Sequence, residues 1–442
     1  MFTYQLHAQP DLLALHRLNP ERYPFLLEHG ASFINSRYSF LFCFPGEALT
    51  SSWGDKAVFT DAFDRLFSEQ GVPPNDSELP FTGGWFVYLG YELAHQIEPS
   101  LNLSADAFEL PIAIATRIES AIIIDHQKNQ YWWVCEHDDQ SLLHACLADI
   151  KQTEHDKVES LKPITVALQE DDPWHYLNAV TKVSGYIKAG DVFQVNLSRA
   201  WQGEFEVDVK PVDVYAALRQ SNPAPFSALA QFNDFTIISS SPERLVKVKS
   251  GQIETRPIAG TRPRNRDEKQ DKALLDELIN HPKERAEHIM LIDLERNDMG
   301  RICQPGSVEV DELMIVESYE HVHHIVSNIK GQLAEGVTPG EVIKAVFPGG
   351  TITGCPKVRC MEIIAELEGI GRGAYTGSLG YINHSGDMDL NILIRTIVMQ
   401  GQKINFRTGA GIVYDSIPQN EVEETRHKAK GLIKAFEVTK RI

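Results

Sequence analysis

The sequence predicts an α/β fold, and three observations carry that prediction. Residues 113–137, AIATRIESAIIIDHQKNQYWWVCEH, hold two strand-like apolar runs around a polar DHQKNQ turn, the pattern of a hairpin. Asp172 can cap a helix whose first turn takes Pro173; Tyr176, Val180, Val183 and Ile187 then repeat at helical spacing until Ala189-Gly190. Beyond it a strand-like DVFQVNLS opens a stretch in which Gly-rich loops alternate with strands and helices.

Bulk properties bound the rest. A chain of 442 residues with 43% apolar content can bury a sizeable core in two or three domains, one of them a large α/β unit. Residues 1–150 read as mixed α/β, and the charged, weakly periodic segment 151–170 marks a boundary. It separates an N-terminal region, 1–160, from a C-terminal domain, 171–442. A net charge of −19 argues against a nucleic-acid partner, although a locally positive site for a small anion is compatible with it. Six cysteines without a C-x-x-C pair suggest free thiols in a reducing compartment. The N-terminus lacks a basic-then-apolar leader pattern and no apolar run reaches about 18 residues, so a cytoplasmic protein without a membrane span is expected.

Carboxylates pair on two expected helices. In HPKERAEHIMLIDLERND, a helix beginning near Pro282, Glu284 and Glu287 share a face, and Met290, Leu291 and Leu294 mark its buried side. In NEVEETRHKAKGLIKAF, Glu421 and Glu424 are again three apart, with Lys428 one turn beyond. Spacing leaves two alternatives open: solvated acidic faces, or convergence on Mg²⁺, which takes a few carboxylates plus waters and an anionic ligand.

Three Gly-rich stretches follow: PIAGTRPR (257–264), FPGGTITGCPK (347–357) and RTGAGIV (407–413). Each can present backbone N–H groups to an anion or simply make a turn, and none matches a P-loop or dinucleotide fingerprint. Arg395, in the apolar strand-like run LNILIRT, needs a partner: a structural carboxylate or a substrate carboxylate.

Taken together, DVFQVNLS, SSSPERL, ETRPIAGTRPR, AEHIMLIDLERNDMGR, HVHHIVSNI, FPGGTITGCPKVRCMEII, YTGSLGYI, IRT, GAGIV and EETRHKAK resemble the component I family of chorismate-utilising enzymes. That family includes aminodeoxychorismate synthase, anthranilate synthase and, more distantly, isochorismate and salicylate synthases. The resemblance is dense over about 170–437 and weaker through PFLLEHG and LPFTGGWFVYLGYELA. It implies two β-sheets packed around a common core with outer helices, and an active-site cleft in the C-terminal region.

It also implies roles. Glu287 and Glu424 would be the main Mg²⁺ ligands, with Glu284 and Glu421 close by. Tyr375, Arg395, Gly411 and Lys428 would hold the ring carboxylate and the enolpyruvyl group of chorismate, and Gly260 and Thr261 would line the ring. Glu243 resembles the acid that helps the C4 hydroxyl leave, and His324 the family's catalytic histidine. The relatives that add water place a lysine at the position of Gln194; glutamine cannot act as a base, which implies ammonia as the nucleophile.

Two ammonia users remain. Amination at C4 makes 4-amino-4-deoxychorismate, for 4-aminobenzoate and folate; amination at C2 with loss of pyruvate makes anthranilate, for tryptophan. Ala259, in PIAGT, favours the second, because many C4 enzymes carry a lysine there. His323, GGTITG, Ser378 and His29 in LLEH favour the first, which is the leading expectation. No G-x-C-x-G nucleophile loop is present and Cys355 resembles a packed position, so ammonia is expected from a separate glutamine amidotransferase subunit. A tryptophan pocket is implied around Glu28, Arg37, Tyr38 and Ser39, with His29 weakening the case for feedback inhibition.

Overall fold

The computed structural model describes residues 1–29, 37–70, 77–154, 163–265, 267–318 and 322–439. Two long strands organise it. Tyr38–Ser51 and Ala113–Asp125 pair along nearly their whole length, and the second changes partner midway. Its first half pairs with Gly84–Leu89 and its second with Gln130–Cys135, so the hydrogen-bonded network divides there into two sheets.

One sheet continues from Tyr38–Ser51 through Phe25–Glu28, Phe226–Gln231, Thr236–Ser241, Thr396–Gln400 and Lys403–Ile412 to Gln194–Phe205. The other runs from Gly84–Leu89 through Ser378–Asn383, Met388–Asn391, Arg244–Lys249 and Gln252–Thr255 to Val322–Gln332. That last strand also takes Ile258–Pro263 and Glu309–Ser318 as partners.

Side-chain alternation shows how the sheets pack. In Gly84–Leu89, Phe86 and Tyr88 point into the core shared with Phe40, Phe42, Ile237 and Val398. Trp85, Val87 and Leu89 point the other way, onto Phe59, Phe63, Ile292 and Val342 of three outer helices. Leu41, Cys43, Ile238 and Ile404 likewise face Leu15, Leu143, Leu218 and Leu432 of four helices outside the first sheet. Two sheets around a common core, with helices outside both, is the architecture that the sequence implies.

The expected 113–137 hairpin and the Pro173–Ala189 helix form as predicted, with Asp172 accepting from the Trp174 amide and Gly190 closing the helix at φ 84°. Three expectations need correction. Thr165–Glu170 is a strand paired with Gln194–Phe205, and the preceding helix runs to Thr153, so only part of 151–170 can be a connector. PIAGTRPR and RTGAGIV lie mostly in strands, Ile258–Pro263 and Lys403–Ile412, where glycine serves close approach rather than a loop. Arg395 lies between strands at φ 51°, because the chain there passes from one sheet to the other.

That passage positions the site. Thr236–Ser241 and Thr396–Gln400 are paired in one sheet; their continuations, Arg244–Lys249 and Met388–Asn391, are paired in the other. Glu243 and Arg395 occupy the two gaps, joined by Ile392 N–H to Glu243 O (3.0 Å) and Ser240 N–H to Arg395 O (3.1 Å). Strands from 1–160 and from 171–442 enter both sheets, through Phe25–Glu28 with Phe226–Gln231 and Gly84–Leu89 with Ser378–Asn383.

Candidate active site

Glu243 is 7% exposed and its Oε1 accepts from the Thr351 hydroxyl at 2.8 Å. Burial raises its carboxyl to about 7, against the opposing pull of Thr351, Arg395 and Lys428. It is an acid that still holds its proton near neutrality. The two glycines before Thr351 let this turn press against neighbouring side chains: a Cβ at Gly350 would sit 2.4 Å from Leu294.

The Arg395 guanidinium forms no ion pair or hydrogen bond among the described residues, and burial lowers its pKa while the nearby Glu243 raises it. His324, on Val322–Gln332, is pushed down to about 4 by burial and then by Arg395, so its ring is neutral at neutral pH. The ring bonds to the Gly260 carbonyl. Gly260 (φ 65°) forms the bulge in the ladder between Ala259 and Thr261, and Thr261 pairs with His324. A Cβ at Gly260 would lie 2.9 Å from Glu284 Oε2, so glycine is required where that carboxylate approaches.

The Pro418–Ile433 helix supplies the opposite wall. Its Lys428 donates to the Gly409 carbonyl (2.9 Å) and pairs with Glu424 (2.8 Å), while Glu421 is buried in the first turn. Gly409 and Gly411 keep this surface thin: a Cβ at Gly409 would be 2.6 Å from the Tyr375 hydroxyl, and one at Gly411 2.5 Å from Gln194 Nε2. Behind Tyr375, Arg372 stacks 5.5 Å from its ring, and Glu368 joins Arg372 (2.6 Å) to Arg407 (2.9 Å).

The Pro282–Gly300 helix presents Glu284 and Glu287 in its first two turns, with Leu291 and Leu294 buried and Met290 half-buried. Glu284 accepts from Arg262 at 3.2 Å. Glu287 lines a cavity of about 920 Å³ with Gln194, Phe193, Met290, Val413 and Tyr414, so this helix and the turn before Pro418–Ile433 share one cleft. Among the described residues no three His, Cys, Asp or Glu side chains form a ready-made metal-binding group. The donors flanking the cleft are carboxylate oxygens, which suit a hard divalent ion that completes its shell with water and an anionic ligand.

Four groups escaped sequence reasoning. Thr351 holds Glu243, and Asn196 shares the face of Gln194. Glu295 is 5% exposed and raised to about 8, by burial and then by Asp298 and Glu243. Glu92, raised to about 8 by burial, accepts from the backbone of Arg372 (2.6 Å). Helical spacing offered a signal only for Glu295, two turns beyond Glu287–His288.

The residues expected to form a tryptophan pocket are engaged with their own chain. Glu28 accepts from Tyr215 (2.7 Å) and Arg219 (3.0 Å), Arg37 pairs with Asp125 (2.7 Å) and stacks on Tyr38 (4.7 Å), and Ser39 meets His126 (2.8 Å). His29 bonds the Pro225 carbonyl and packs edge-on against Phe226 at 5.6 Å. A polar cavity of about 1230 Å³ opens beside His29, Arg37 and Tyr38.

A buried acid and a neutral imidazole lie near a half-buried guanidinium, and the Pro282–Gly300 helix brings carboxylates to the adjoining cleft, an arrangement suited to a small anion. Residues 36–434 match the chorismate binding enzyme family, and the chain belongs to it: it is a chorismate-utilising enzyme. It is 42% identical to aminodeoxychorismate synthase component 1 of Bacillus subtilis (strain 168), over 88% of this chain and 86% of that one. It is 41% identical to anthranilate synthase component 1 of Aquifex aeolicus (strain VF5), over 83% and 77%. The crystal structure of anthranilate synthase component I from Streptococcus pneumoniae TIGR4 superposes with a TM-score of 0.80 at 35% identity, covering 90% of this chain and 92% of that one.

Proposed function

We propose that this enzyme catalyses Mg²⁺-dependent amination of chorismate by ammonia to 4-amino-4-deoxychorismate, the precursor of 4-aminobenzoate for folate synthesis. The observation that carries the proposal is Glu243, a buried acid with a proton to give, near Arg395, whose guanidinium forms no ion pair or hydrogen bond among the described residues. Hydroxide is a poor leaving group, so the C4 hydroxyl must be protonated as it departs. Glu243 donates that proton, the C–O bond breaks and water leaves. Ammonia forms the new C–N bond, and the resulting ammonium group returns one proton to the Glu243 carboxylate. Atoms and charge then balance.

The remaining roles are those that the family resemblance implies. Arg395 binds a substrate carboxylate, with Lys428, Tyr375 and the Gly411 backbone holding the other polar groups. Gly260 and Thr261 line the ring, and neutral His324, whose ring bonds the Gly260 carbonyl, presents its other nitrogen as an acceptor. Glu287 and Glu424 would hold Mg²⁺, with Glu284 and Glu421 nearby; when bound, the ion neutralises charge on the ring carboxylate. Ala259 is buried and offers no nucleophile, so ammonia reaches C4 without a lysine adduct.

The C4 reading is supported by His29, whose ring is already bonded within the region where a regulatory amino acid was expected. Ala259 favours the second reading, anthranilate formation, because a small side chain leaves space at C2. Product analysis separates them. Enzyme, chorismate, Mg²⁺ and ammonium should give 4-aminobenzoate only after addition of aminodeoxychorismate lyase; anthranilate fluorescence without lyase would establish the second.

Ammonia would come from a separate glutamine amidotransferase subunit. Phe193, Ile289 and Tyr414, 69%, 51% and 70% exposed, rim the cavity and support a protein partner there. Native mass spectrometry with the cognate subunit should detect the complex. No helix among the described residues is long and apolar enough to cross a membrane, and a cytoplasmic location remains part of this proposal.

A further inference from the structure

We propose that the side-chain oxygens of Gln194 and Asn196 form the ammonia-binding site of this enzyme. The inference rests on the amination reading above and assigns the residues that receive the second substrate.

Positions 194 and 196 lie two apart on Gln194–Phe205 and so project from the same face. Gln194 Oε1 and Asn196 Oδ1 are both buried and both lack a hydrogen-bond partner among the described residues. Gln194 as a whole is 4% exposed. Unmet buried acceptors are rare in folded proteins because each has given up water for nothing. Two on one face, the first of them at the wall of a cleft, point to a ligand that donates.

The neighbouring strand is shaped around them. Gly411 is opposite Asn196, and Gly409 is opposite Ser198. A Cβ at Gly411 would fall 2.5 Å from Gln194 Nε2; one at Gly409 would fall 2.8 Å from Asn196 Oδ1 and 2.6 Å from the Tyr375 hydroxyl. The glycines therefore leave space for both amides beside Tyr375. Gln194 also lines the 920 Å³ cavity, and Asn196, half-buried, follows it on the same face of the strand.

The chemistry selects the ligand. Amide oxygens accept but cannot pair with the carboxylates of a dianionic ring. Ammonia donates N–H bonds to both oxygens and keeps its lone pair for the ring carbon. Neutral acceptors also hold it without a negative charge that would favour the unreactive ammonium form. The departing hydroxyl and water are the competing donors, and kinetics distinguishes them.

The test varies ammonium and chorismate independently at fixed pH, for wild type, Asn196→Leu and Gln194→Met. Each substitution removes an acceptor at similar volume. The expected result is a rise in the ammonium KM of about tenfold in each variant, with the chorismate KM within about twofold of wild type. An unchanged ammonium KM, or a chorismate KM that rises in parallel, overturns the assignment. Should Asn196→Leu fail to bind chorismate by calorimetry without ammonium, Gln194→Met decides by the same criterion. Wild-type enzyme that aminates no chorismate would instead overturn the amination reading, and this site with it.

Discussion

Two regions of this fold are rich in charge, yet they treat it oppositely. Beside the N-terminal cavity ions are matched in pairs: Arg37 with Asp125, Arg244 with Asp389 (2.8 Å), and Glu136 with both Arg117 and His384. At the proposed active site, burial raises the Glu243 carboxyl to about 7, and the Arg395 guanidinium has no hydrogen-bonded partner among the described residues. Gln194 and Asn196 each leave an oxygen unmet. Buried polar groups that are fully satisfied hold a structure together; those held short of satisfaction mark where a ligand completes them.

The comparison breaks most sharply at Glu243. Glu243→Gln should lower kcat by about 10²–10⁴-fold, measured by lyase-coupled turnover, because the amide cannot protonate a leaving hydroxyl. In wild type at constant free ammonia, kcat/KM for chorismate should fall about tenfold per pH unit above about pH 7, as the carboxyl ionises. Activity that is flat through that range would remove Glu243 from the acid role.

Arg395→Ala comes next. Losing a charge-assisted bond to a substrate carboxylate should raise the chorismate KM about 10- to 100-fold. An unaltered affinity would place Arg395 with the structural ions of the other cavity.

The structural cavity predicts the converse behaviour. Arg117→Ala leaves Glu136 with only His384, so thermal or denaturant unfolding should register a loss of about 3 kcal/mol, while the folded enzyme turns over normally. A selective loss of kcat would show that this region takes part in the chemistry.

Glu295 gives a further test, and its sign is fixed by linkage. Its folded carboxyl titrates near 8, whereas an unfolded glutamate titrates near about 4.3. Between those values the folded state binds the extra proton, so stability falls as pH rises through the window. Glu295→Gln carries no such proton and should lose less thermal stability between about pH 5 and pH 8 than wild type. Identical pH slopes would show that Glu295 is ionised and paired when folded.

The legible parts of this molecule were those written in local pattern. Asp172-Pro173, the 113–137 hairpin and the 282 and 418 helices follow from capping, alternation and helical spacing, and each forms close to its expected bounds. The site was legible as residue types but not as an arrangement. That Glu243 and Arg395 are adjacent depends on two strand pairs leaving one sheet for the other at the same level, a long-range fact with no local signature. Glycines at 260, 409 and 411 looked like loop residues because sequence shows small size, not the neighbour that requires it. Asn196 and Thr351 were invisible for the same reason: their importance lies in what they face.

A crystal structure with Mg²⁺ and an unreactive chorismate analogue is the sharpest examination of this account. It should show one ion bridging Glu287 and Glu424 to the ring carboxylate, Arg395 on the ligand, and Glu243 at the C4 substituent. A ligand seated in the N-terminal cavity, or the two glutamates on opposite sides of the bound molecule without a shared ion, would contradict it.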